Sequence, residues 1–259
     1  MTYPFSPAGD GEPAGSAPGA TAAPGRPAGP AGPGVPLSIW PGLPEPGGTR
    51  DGGPVTLAAA RRVIDTFSVP GDLVAAGGGC SPAVAEAAAA AGRRVLGLVP
   101  DGRSGYPLPV PYPVARLRPG GPALVLAPGN PVTGQAALAV AGCCSPGCWA
   151  SPVAGGQDGQ DAGLLFAACE RVLRPGGVLA VIAGPAADGG TLTDTAGSVV
   201  AAARAAGLVY AQHIVLVRAA IDGDRLAPAA PGTGAAAPGG SPVHDDLLVF
   251  TKPGGEPRS

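Results

Sequence analysis

The sequence predicts an α/β domain: a doubly wound, mostly parallel sheet with helices on both faces and an antiparallel hairpin at its C-terminal edge. Three observations lead there. Residues 161–182 run as helix, tight turn and buried strand. Residues 69–101 run as strand, glycine loop, alanine-rich helix and strand. The chain then closes on a long strand pattern, a loop and a last apolar strand. Strands that alternate with helices are joined by crossovers, which give parallel pairing with both sheet faces covered.

The unit at 161–182 is the clearest. Leu164, Leu165, Ala168, Cys169, Val172 and Leu173 recur on one side at helical spacing, with Glu170, Arg171 and Arg174 opposite. Pro175 and Gly176-Gly177 stop that helix and turn the chain. Val178 to Ile182 is an unbroken apolar run, which suits a strand buried on both faces.

Taken in order, residues 1–53 are an Ala/Gly/Pro/Ser tract with few large apolar side chains. Such a tract buries too little surface to offset the entropy of ordering, so a disordered arm is expected. One local exception is Leu37-Ser38-Ile39-Trp40, either a segment that docks on the domain or a sticky spot in a linker. The domain itself is expected over 54–253, followed by a disordered tail at 254–259. Val55 to Phe67 reads as a helix with Leu57, Ala60, Ile64 and Phe67 on one face and Arg61, Arg62 and Asp65 opposite. Leu73 to Ala76 reads as a strand, Ala83 to Ala91 as a helix closed by Gly92, and Arg94 to Leu98 as a strand. The Pro-rich residues 100–121 read as irregular. Ala123 to Ala127 and Ala136 to Ala141 are strand candidates, and Cys143 to Gly159 a loop. A helix over Asp194 to Ala206 takes Thr193 or Asp194 as N-cap and has Gly207 past its end. Val209 to Ala219 and Asp246 to Thr251 complete the strands.

Composition sets bounds on partners. The chain has 259 residues, a formal net charge of −2, and 4% aromatic residues. Its core must therefore be built mainly from Ala, Val and Leu, which bury less area per residue than aromatics do. A protein that grips a nucleic-acid backbone usually shows a basic face, and the net charge does not support one. No apolar run approaches the ~20 residues that span a bilayer. The N-terminus lacks the charged and apolar regions of a signal peptide, so a cytoplasmic protein is expected. Five cysteines without framework spacing fit reduced thiols. Cys143, Cys144 and Cys148 cluster, but without a CxxC pair or a nearby His, so no metal is expected.

The stretch Val69 to Asp101, VPGDLVAAGGGCSPAVAEAAAAAGRRVLGLVPD, has a general ligand-binding logic. Glycines let a backbone approach a ligand closely, and a helix that follows offers free N–H groups. The plainer reading of Gly77-Gly78-Gly79 is a turn between strand and helix. The lead (Pro70, Gly71, Asp72, Leu73, Val74) and the tail (Gly92, Arg93, Arg94, Gly97) resemble the first motif of bacterial DNA amino-methyltransferases. RVLRPGGVLAVI is similar to the turn entering the fifth strand of class I S-adenosylmethionine (SAM)-dependent methyltransferases, and HDDLLVFTKP to their last strand. The resemblance covers about residues 54–253. It implies a Rossmann-like fold, SAM as cofactor against Gly77, Gly78 and Gly79, and Asp101 on the ribose hydroxyls. Where the family has Asp-Pro, this chain has Ala76-Gly77, and Val99 stands where a ribose-holding carboxylate usually ends the second strand.

Ala136 to Trp149 resembles the family's fourth motif, strand then substrate loop. Its common Ser-Pro-Pro-Tyr-Trp reads here Ser145-Pro146-Gly147-Cys148-Trp149. The resemblance implies that Ser145 and Pro146 accept hydrogen bonds from a target exocyclic amine, of cytosine or adenine, and that an aromatic ring stacks on the flipped-out base. Cys148 replaces that aromatic, which leaves Trp149 for the role. His213 reads as a strand residue and His244, beside Asp245 and Asp246, as solvated. Three functions stay open: a methyltransferase acting on DNA, a non-catalytic relative kept as a binding module, and a methyltransferase for a small molecule.

Overall fold

The computed structural model describes residues 37–41, 55–78, 81–100, 113–117, 132–143, 157–184, 186–188, 191–193, 195–217, 221–222, 225–226 and 244–254. A short strand, β1 (Leu37–Trp40), comes first, followed by α1 (Leu57–Phe67), β2 (Leu73–Gly78), α2 (Ser81–Ala90) and β3 (Arg94–Pro100). Next are β4 (Val114–Leu117), β5 (Ala136–Cys143), α3 (Gln157–Val172) and β6 (Leu173–Ala183). A small hairpin, β7 (Ala186–Asp188) and β8 (Thr191–Thr193), leads to α4 (Ala196–Ala205) and β9 (Val209–Val217). A second small hairpin, β10 (Ile221–Asp222) and β11 (Arg225–Leu226), precedes the last strand, β12 (His244–Thr251).

Eight strands form one sheet in the order β1-β9-β12-β6-β5-β2-β3-β4. Neighbours from β6 to β4 are parallel, and β12 runs antiparallel to both β6 and β9. The mostly parallel Rossmann-like sheet with an antiparallel C-terminal pair is therefore present. Within that pair, β12 lies between β6 and β9. Burial explains the placement. β12 has five of its eight residues buried (Asp245 and Leu247 to Phe250), as an interior strand requires, whereas Val209 to His213 of β9 are exposed or half-buried. The outer edge of β9 is taken by β1, parallel to it, with Leu37 opposite His213 and Trp40 opposite Leu216.

Two apolar clusters sandwich the sheet. On one side α3 and α4 bring Leu165, Phe166, Val172, Val199 and Ala203 against Ala75, Leu98, Leu179 and Phe250. On the other, α1 and α2 bring Val63, Ile64, Val84 and Ala88 against Val74, Ala76, Val140 and Ile182. β2 alternates between the two, and all six of its residues are buried. α1 starts where Thr56 Oγ1 accepts the Ala59 N–H at 3.1 Å, an N-cap bond.

Several boundaries differ from the sequence reading, each for a tertiary reason. β4 lies in the stretch read as irregular, because β3 supplies it with a parallel partner from Val114 to Leu117. The N-cap of α4 is Thr195, one or two residues after the expected position; its hydroxyl donates to the Gly184 carbonyl at 3.4 Å. α3 begins at Gln157, inside the expected loop. The Pro175-Gly176-Gly177 turn sits within β6: Leu173 pairs with Ala136 and Val178 with Leu138, so Arg174 to Gly177 loop out of the ladder. The Gly176 N–H donates to the Lys252 carbonyl at 3.0 Å, and the Lys252 N–H to the Gly177 carbonyl at 2.9 Å. Lys252 Nζ also reaches Glu170 Oε1 at 3.0 Å, tying the end of β12 to α3. The strand candidate at 123–127 lies outside the described residues. None of the helices among the described residues is long and apolar enough to cross a membrane.

Candidate functional site

The strand order reverses between β2 and β5. From β2 the sheet grows outward through β3 and β4, and from β5 through β6. In open α/β sheets such a switch point leaves a crevice outside the carboxyl ends of the strands, because the flanking connections depart in opposite directions. Here those ends are Gly77-Gly78 on β2 and Gly142-Cys143 on β5. They are side by side: Gly77 is in register with Ala141, and Gly78 with Gly142. Val99-Pro100 ends β3 on the same side, one strand away.

Gly77 and Gly78 therefore belong to the strand rather than to the loop that the sequence suggests. Each needs glycine for a different reason. A Cβ on Gly77 would lie 2.6 Å from Leu165 Cδ1, so α3 packs where a side chain would go. Gly78 has φ +74°, a conformation that glycine adopts without the Cβ penalty. Beyond it, α2 starts at Ser81, and the first turn of a helix carries N–H groups without intrahelical partners. Gly78 thus ends β2 close in sequence to the N-terminus of α2, while the space over Gly77 is filled by Leu165. No carboxylate stands at the ends of β2, β3 and β5 among the described residues. Gly79 and Asp101, the rest of the expected cofactor set, lie outside them. So do Ser145, Pro146 and Trp149; the structure brings the start of their loop, Cys143, to the switch point.

A polar pair that the sequence did not foretell lies on β9 and β12. His213 Nε2 and Asp246 Oδ1 are 2.8 Å apart, both half-buried. Asp246 pairs in register with Ala183 at the end of β6, which places the pair toward the same end of the sheet. Asp245, beside it, is buried, whereas His244 is exposed as expected. No local signal joins His213 to an aspartate 33 residues later; only the strand pairing does. Burial and the nearby Asp246 charge raise the Tyr210 pKa above its ordinary value of 10.0. Cys169 is wholly buried in α3, and burial pushes its thiol up to about 12.

No family model and no curated protein sequence matches the chain. Among solved structures, a SAM-dependent methyltransferase from Methanosarcina mazei matches at 12% identity, over 74% of this chain and 97% of that one, with a TM-score of 0.44. A geranyl diphosphate methyltransferase in complex with SAM matches at 16% identity, over 76% and 85%, with a TM-score of 0.43. A candidate DNA modification methylase from Thermus thermophilus matches at 18% identity with a TM-score of 0.32, over 48% of each chain. This chain thus spans about half of the Thermus protein. At such identities and TM-scores these likenesses carry neither ligand nor activity over to this chain.

Proposed function

We propose that the chain binds SAM at the carboxyl ends of β2 and β3 and holds an exocyclic amine against its methyl group with the loop that follows β5. SAM supplies an electrophilic methyl group. Gly77, Gly78 and Gly79 give its backbone-close floor and Asp101 a hydrogen-bond acceptor for ribose. Ser145 and Pro146 accept from the amine, and Trp149 stacks on the ring that bears it. The observation that carries this reading is the in-register pairing of Gly77 with Ala141 and Gly78 with Gly142. It makes the two motif loops, far apart in the chain, leave the sheet from adjacent strands. The sequence motifs favour an amine of cytosine or adenine in DNA. The net charge of −2 favours a small-molecule amine.

A second reading is a non-catalytic module of the same fold. One observation favours it: Ala76, where the resembled family carries its aspartate, is fully buried among apolar neighbours. Calorimetry with purified protein and SAM tests both catalytic forms. Measurable heat at millimolar SAM is the expected result, and its absence removes them. With binding established, methyl incorporation into DNA as against a metabolite extract separates the two substrates. Binding without incorporation into either leaves the module.

A further inference from the structure

We draw no further inference here: the strongest candidate, the surface patch at the sheet edge where Leu37 and Ile39 of β1 stand 64% and 63% exposed and Leu37 lies in register with His213 of the His213–Asp246 pair, carries nothing, because no contact among the described residues shows what ligand or partner covers it.

Discussion

Replacing Gly77 with alanine separates packing from ligand approach as the reason for glycine at the end of β2. The added Cβ would stand 2.6 Å from Leu165 Cδ1, 3.5 Å from Leu98 Cβ and 3.7 Å from Leu165 Cδ2. Two of these three atoms belong to one side chain that is fully buried in the α3 cluster, so it has little room to turn away. Overpacking of this kind costs about 1–3 kcal/mol. In a domain of this size each kcal/mol lowers the melting temperature by about 2–4 °C. Gly77→Ala is therefore expected to melt about 2–12 °C lower than wild type.

Leu165→Ala supplies the control. Alone it leaves a cavity and costs about 2–5 kcal/mol. Combined with Gly77→Ala, the new methyl enters the vacated space, and the pair is expected to lose about 1 kcal/mol or more less than the sum of the singles. Urea unfolding of the four proteins gives the cycle. A Gly77→Ala chain that melts with the wild type, or a strictly additive double variant, refutes the packing account. In that case the glycine answers to something outside the core, and a SAM affinity lost without loss of stability would say what.

Other perturbations follow from named contacts. Gly177→Ala should destabilise more than Gly77→Ala, because its Cβ would meet two carbonyl oxygens, of Arg174 at 2.8 Å and Ala136 at 3.0 Å, and backbone cannot turn aside as a side chain can; the same urea series ranks them. Tyr210 is held neutral past its usual value of 10.0 by burial first and by Asp246 second. Its stabilising contribution is fully present below the unfolded pKa and is lost as pH rises through the folded one, so unfolding followed from neutral to strongly alkaline pH should be less steep in Tyr210→Phe. Cys169, wholly buried with its thiol pKa pushed up to about 12, should resist alkylation in the native chain and react once urea unfolds it, as read by mass spectrometry of its peptide.

What the sequence makes legible is what neighbouring residues decide. The apolar face of α3 and the run Val178 to Ile182 are local patterns, and the structure reproduces both. β4 is different: Val114-Ala115-Arg116-Leu117 has no strong preference of its own and becomes a strand because β3 offers an edge. Leu37–Trp40 is the same case at the other end of the sheet, where Phe67 and Arg62 decide. The order of the last two strands is readable in part. Leu247-Leu248-Val249-Phe250 is apolar without alternation, as an interior strand must be, whereas Tyr210, Gln212 and His213 bring polar groups that suit a strand nearer the edge. At the site, the glycines are legible as glycines. Their cause is not, since Leu165 is remote from Gly77 in the chain and reaches it only through the fold.

The burial of β2 bears on which function survives. Ala75 faces the α3 cluster and Ala76 the α1–α2 cluster, and both are fully buried. A carboxylate at Ala76 would enter an apolar cluster that contains Val84, Ala88, Val140 and Ile182. Burying an unpaired charge there costs far more than any gain in ligand contact returns, or forces the group to stay protonated. The small residue at this position is thus matched by the packing around it, and a single substitution would not restore the family's acid. At this end of the sheet the described residues of β2 offer backbone groups and no carboxylate.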